Sequence, residues 1–148
     1  MEELYNFIEY LANILQIKIP VFRVISAQEM ENISKENTMA AYDRTTKTIL
    51  LEEKEEYSIM DYYVLAHEMR HAWQDIVDPC YYYEDYNDSS EHEYNVSYAE
   101  LDANAFACVA IAIAFNKVTK REYKNDKIAQ KKYEKCLEQL KKQYEVDF

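Results

Sequence analysis

Leu4, Phe7, Ile8, Leu11, Ile14 and Leu15 recur at intervals of three and four, the spacing that gathers apolar side chains on one face of a helix. Residues 2–16 therefore read as an amphipathic helix. Pro20 closes that pattern, and "VFRVI" at 21–25 is a short β-branched and aromatic run suited to a strand. Residues 26–38 are polar and fit either helix or loop. In "MAAYDRTTKTILLEE" two β-prone pieces flank a polar "DRTTK", which predicts a hairpin with a longer turn. The next helix is expected at about 58–76, with Ser58 as N-cap and Asp61 three residues on. Leu65, Met69, Ala72 and Ile76 would form its core side. Residues 78–94 hold Pro79, three consecutive tyrosines and many acids, an irregular loop. Two more helices are expected, at about 95–116 and about 119–145. Tyr133, Cys136, Leu137, Leu140 and Tyr144 give the last one an apolar face. The order of helix, strand, hairpin and three helices predicts an α+β fold with a small sheet packed on helices. A length of 148 residues suits one domain, 1–148.

Composition narrows the chemistry. The net charge is −11, which opposes direct binding to nucleic acid or to an anionic membrane surface. There is no glycine, so the loops that cradle phosphates by close backbone approach are excluded. The cysteines, Cys80, Cys108 and Cys136, are odd in number and contain no CxxC pair, as in a reducing compartment. The N-terminus lacks a basic start and a small-residue cleavage site. The apolar run 106–115 is too short to span a bilayer. These features lead to the expectation of a soluble, cytoplasmic protein without a membrane partner; they specify no oligomeric state.

The candidate chemistry lies in "LAHEMRHAWQ", residues 65–74. On a helix His67 and His71 lie about 40° apart around the axis and share a face. Glu68 projects from the edge of that face. Two imidazole ligands and a carboxylate near the metal's water are what a mononuclear catalytic Zn²⁺ site requires. The bland alternative is a solvated polar helix face. A third ligand must come from elsewhere. Gln74 and Val77 occupy the positions where one HExxH class carries glycine and a third histidine. Glu100 in "AELDANAFA" is a candidate on the following helix, and His92 in the loop "SSEHEYN" competes with it. Glu100 is favoured because its helical position is defined. Asn104, one turn further along its face, could hydrogen-bond a ligand histidine. Asp102 sits about 200° from Glu100 and reads as a surface charge.

With these residues in place the chain resembles the gluzincin metallopeptidases, most closely the ImmA/IrrE-type domain. The resemblance covers roughly residues 20–110: a strand, the hairpin "AAYDRTTKTILL", the HExxH helix, and "ELDANAFA", which fits E-x-x-A-N-x-F-A. It implies a minimal zincin-like fold with its core at about 20–116. It also implies His67, His71 and Glu100 as zinc ligands, Glu68 as general base, and strand 48–52 beside the cleft to pair with an extended peptide. The implied activity is hydrolysis of a peptide bond in a protein substrate, as in regulatory cleavage of a partner such as a repressor. His92 and Tyr94, together with Tyr86, are candidates for stabilising the oxyanion. Arg70 departs from the family, whose members often carry glycine before the second histidine; a bulky cation there would narrow the cleft or pair with an acid.

Other classes compete with this reading. A di-iron helical oxidoreductase needs a second E-x-x-H, and position 89 is Ser where His92 would need a glutamate. A zincin-shaped zinc-binding protein without turnover, acting as an interaction module, fits Arg70 and the charged last helix. Peptide deformylase also uses HExxH, but its accompanying motifs need glycine.

Overall fold

The apolar spacing of the first helix is realised as α1, Glu2–Leu15, which buries Leu4, Phe7, Ile8, Leu11, Ala12 and Leu15. The computed structural model describes residues 1–33, 38–77 and 97–148. After α1 come β1 (Val21–Ile25), α2 (Ala27–Ile33), β2 (Ala40–Asp43), β3 (Thr48–Glu52), α3 (Ile59–Val77), α4 (Tyr98–Phe115) and α5 (Lys127–Gln143). The chain is α+β: five helices and one three-stranded mixed sheet among the described residues.

The sheet order is β1-β3-β2. β1 runs parallel to β3, pairing Val21 with Thr48 and Val24 with Leu51. β2 runs antiparallel to β3, pairing Ala40 with Leu51 and Asp43 with Thr48. The centre of β3, Ile49 to Leu51, is apolar and is covered on both faces. Ile49 and Leu51 join the main core with α1, α3 and α4, while Leu50 faces Ile25 and Met30 of α2. Strand 48–52 is therefore the central strand, with both edges paired. The expectation that it lies open to a peptide is corrected: β1 and β2 are the edge strands, and β2 packs beside α3.

Local chemistry sets the turns of a chain without glycine. In the β2–β3 turn, Asp43 accepts from Thr45 N at 2.9 Å and from Thr46 Oγ1 at 2.7 Å, a side-chain-stabilised turn. Lys47 closes it at φ 55°, and Gln16, Asn116 and Glu145 take the same left-handed conformation at φ 54°, 52° and 54°. Gln16 and Asn116 are the C-caps of α1 and α4.

α3 begins where Asp61 accepts from Ser58 N at 2.8 Å and from Ser58 Oγ at 2.7 Å; Asp61 also pairs with Lys54. Leu65, Met69 and Ala72 are buried as expected, but Ile76 is exposed near the helix end. α4 packs between α3 and α5, so it is buried on nearly all sides from Ala99 to Ile111. By length and composition α4 could cross a membrane, which the shorter run 106–115 did not indicate, but 67% of it is buried within the protein. The last helix starts at Lys127 rather than 119. Asp126 caps it, accepting from Ile128 N and Ala129 N, and 117–126 are not helical.

Candidate metal centre

α3 carries His67 and His71 on one face, and α4 brings Glu100 against them from the first turn beyond its Ser97 cap. His71 Nε2 lies 3.0 Å from Glu100 Oε1, and His67 Nε2 lies 3.3 Å from Glu100 Oε2. The two Nε2 atoms are 2.9 Å apart. One ligand-capable atom from each of the three residues lies within 4.8 Å of the others. His71 and Glu100 are buried and His67 is half-buried.

Each ring has a partner on its other nitrogen. His67 Nδ1 lies 3.1 Å from Asn104 Oδ1, the contact expected from the sequence. His71 Nδ1 lies 2.8 Å from Gln74 Oε1. Gln74 Nε2 in turn donates to Ala99 O at 3.0 Å and to Asp102 Oδ2 at 2.9 Å. These acceptors favour Nδ1–H in both rings and direct the Nε2 lone pairs inward. Asn104 is itself held: Tyr63 OH donates to its backbone oxygen at 3.1 Å, and its Nδ2 donates to Tyr123 OH at 2.9 Å.

The charges are strongly coupled. Burial works against ionising Glu100, but the two imidazoles outweigh it and hold the carboxyl well below the usual range. Burial likewise opposes a charged His71, yet Glu100, Glu68 and Gln74 push it up to about 9. The half-buried Glu68 goes the other way. Burial raises its carboxyl and the Glu100 charge adds to this, against the pull of His67, His71 and a hydrogen bond from the Tyr42 backbone. Glu68 thus lies within the field of all three clustered residues while also touching the edge strand.

One expectation is corrected here. Asp102 is not a free surface charge. It accepts from Arg70 Nε at 2.7 Å and from Arg70 Nη2 at 3.1 Å. Arg70 is buried over the Trp73 ring, 3.8 Å from its centroid, so it braces α3 against α4 through Asp102. His92, Tyr94 and Tyr86 lie outside the described residues, as does Cys80. Gln74, Tyr63 and Tyr123 were missed as members of the site. The signal for Gln74 was its position three residues after His71, on a neighbouring face of the helix. Tyr123 had no signal in one dimension.

No family model, no curated protein and no solved structure among those compared matches this chain.

Proposed function

We propose that this protein is a zinc-dependent peptidase, a zincin-like hydrolase acting on a peptide bond in a protein substrate. The convergence of His67, His71 and Glu100, with Glu68 beside them, carries the reading. The donor set fits the metal: two imidazole nitrogens and one carboxylate oxygen suit Zn²⁺ and leave a fourth position for water. His67 Nε2, His71 Nε2 and a Glu100 oxygen would hold it. Zinc bound there supplies a Lewis acid that lowers the pKa of a coordinated water to about 7.

Glu68 then works as general base. Burial raises its carboxyl above its ordinary value, which makes it a stronger base than a solvated carboxylate. It removes the proton from the attacking water and passes it to the leaving amine. Asn104 and Gln74 hold the rings of His67 and His71. The charge of −11 favours a protein substrate over nucleic acid, and a partner protein such as a repressor in the cytoplasm fits this chemistry.

A second reading, a zinc-binding interaction module without turnover, draws on one observation: the Glu68 carboxylate is engaged by the Tyr42 backbone amide. Elemental analysis of the purified wild type and His67→Ala comes first. The expected result is about one zinc per chain in the wild type, lost in the variant. Glu68→Gln should then retain zinc and lose cleavage in a peptide-library screen. A wild type that takes up no zinc after reconstitution overturns both readings. Zinc without cleavage by the wild type favours the second.

A further inference from the structure

The segment after α4 reaches back to the histidines. Asn104 is buried, 4% exposed, and its side-chain amide has partners at both ends. Oδ1 faces His67 Nδ1 at 3.1 Å and Tyr63 OH at 3.2 Å, while Nδ2 donates to Tyr123 OH at 2.9 Å. The neutral imidazole can hold a metal through Nε2 only when its proton is on Nδ1. That tautomer requires Oδ1 of Asn104 to face the ring, so the amide hydrogens must point away from it. The Tyr123 hydroxyl accepts one of them. Without its oxygen, a buried N–H₂ would lack this acceptor. The contact that opposes turning the amide over would then be gone, and the turned amide presents Nδ2 to His67 and favours the proton on Nε2.

Tyr123 is held in turn by α5. Its backbone N donates to Gln130 Oε1 at 2.8 Å. Its ring packs against Tyr133 with centroids 5.6 Å apart, and the Tyr133 hydroxyl accepts from Arg121 N at 3.1 Å. The Asp126 cap fixes where α5 begins.

We infer that Tyr123 is a positioning residue for metal binding: through Asn104 it holds His67 in the tautomer that offers Nε2 to the metal, which makes the C-terminal segment part of the centre. This rests on the reading of His67, His71 and Glu100 as a zinc site.

The test is zinc affinity, by chelator competition, for the wild type, Tyr123→Phe, Asn104→Ala and the double variant. Tyr123→Phe should bind zinc about tenfold more weakly or worse, the usual effect of losing a partner that orients a ligand. Because Tyr123 acts through Asn104, the double variant should bind no more weakly than Asn104→Ala alone. Wild-type affinity in Tyr123→Phe, or fully additive losses, overturns the inference.

Nitrogen NMR of the neutral His67 ring in zinc-free protein gives an independent reading. The proton should sit on Nδ1 in the wild type and shift toward Nε2 in Tyr123→Phe. An identical tautomer in both overturns the inference. If the wild type binds no zinc, the peptidase reading fails, and the NMR comparison alone still decides the role of Tyr123.

Discussion

Arg70 and Asp102 meet through two hydrogen bonds, Nε to Oδ2 at 2.7 Å and Nη2 to Oδ1 at 3.1 Å, across the α3–α4 interface. The Asp102 side chain is 19% exposed and that of Arg70 only 6%. Removing the acid leaves a nearly buried guanidinium unpaired, the costly way to break an ion pair. It also strips Gln74 Nε2 of one acceptor. Asp102→Ala should lose about 3 kcal/mol of stability, measured as a lower urea midpoint with an unchanged slope. A loss below about 0.5 kcal/mol, typical of an exposed pair, would show that the pair does not brace the helices.

Glu100 is the proposed ligand contributed by α4. Glu100→Ala should reduce zinc occupancy to near that of His67→Ala, read by elemental analysis. Unchanged occupancy would remove Glu100 from the ligand set and return His92 to it.

Gln74 gives a subtler outcome. Gln74→Leu keeps similar bulk but removes the acceptor 2.8 Å from His71 Nδ1. Zinc affinity should fall by about 10- to 100-fold while the fold persists. Equal affinity in variant and wild type would show that the contact does not orient the ring.

The zinc-free and zinc-loaded proteins should respond oppositely to pH. Without zinc, His71 rises from its ordinary 6.5 to about 9. Its stabilisation is complete below about 6.5 and is lost as pH climbs through 9. Glu68, with a raised carboxyl, contributes stability that is full below about 4.5 and is lost as pH rises through its raised value; Glu100, with a lowered one, stabilises above about 4.5 and loses that contribution in acid. Zinc-free protein should therefore lose stability in acid, through Glu100, and again as pH climbs from about 6.5 through 9, through His71. Zinc needs the deprotonated ring, so its apparent affinity should rise about tenfold per pH unit up to about 9. Thermal melts with and without chelator from pH 6 to 9 check this; parallel curves would contradict it.

Much of this arrangement was legible because it is local. The spacing of α1, the β-branched run of β1, the hairpin around Asp43 and the shared face of His67 and His71 all follow from neighbours within a few residues. Strand order was not legible. β3 is central because β1, distant in sequence, pairs along its other edge, and no pattern inside 48–52 states which partner comes. Its unbroken "TILL" does fit burial on both faces. Asp102 was misjudged because an angle around the helix axis does not say how far a neighbour reaches: Arg70 and Gln74 of α3, the helix that Glu100 also meets, extend to its carboxylate. The apolar composition around the whole of α4 was the sign that it has little open face. The start of α5 was also open to reading, since Asp126 is a good N-cap. The tie from Asn104 to Tyr123 depends on how the chain returns after α4, which the periodicity of either helix does not encode.

The left-handed turns leave this chain with unused room for engineering. Gln16 and Glu145 hold φ near 54° with a β-carbon in place, a conformation that costs an ordinary residue about 1 kcal/mol. Both are exposed, and neither belongs to the histidine cluster. Glycine at these two helix ends would relieve that strain, at a partly offsetting cost in the freedom of the unfolded chain. A sturdier version of the protein is therefore reachable from its periphery, with every group around the histidine cluster left as it is.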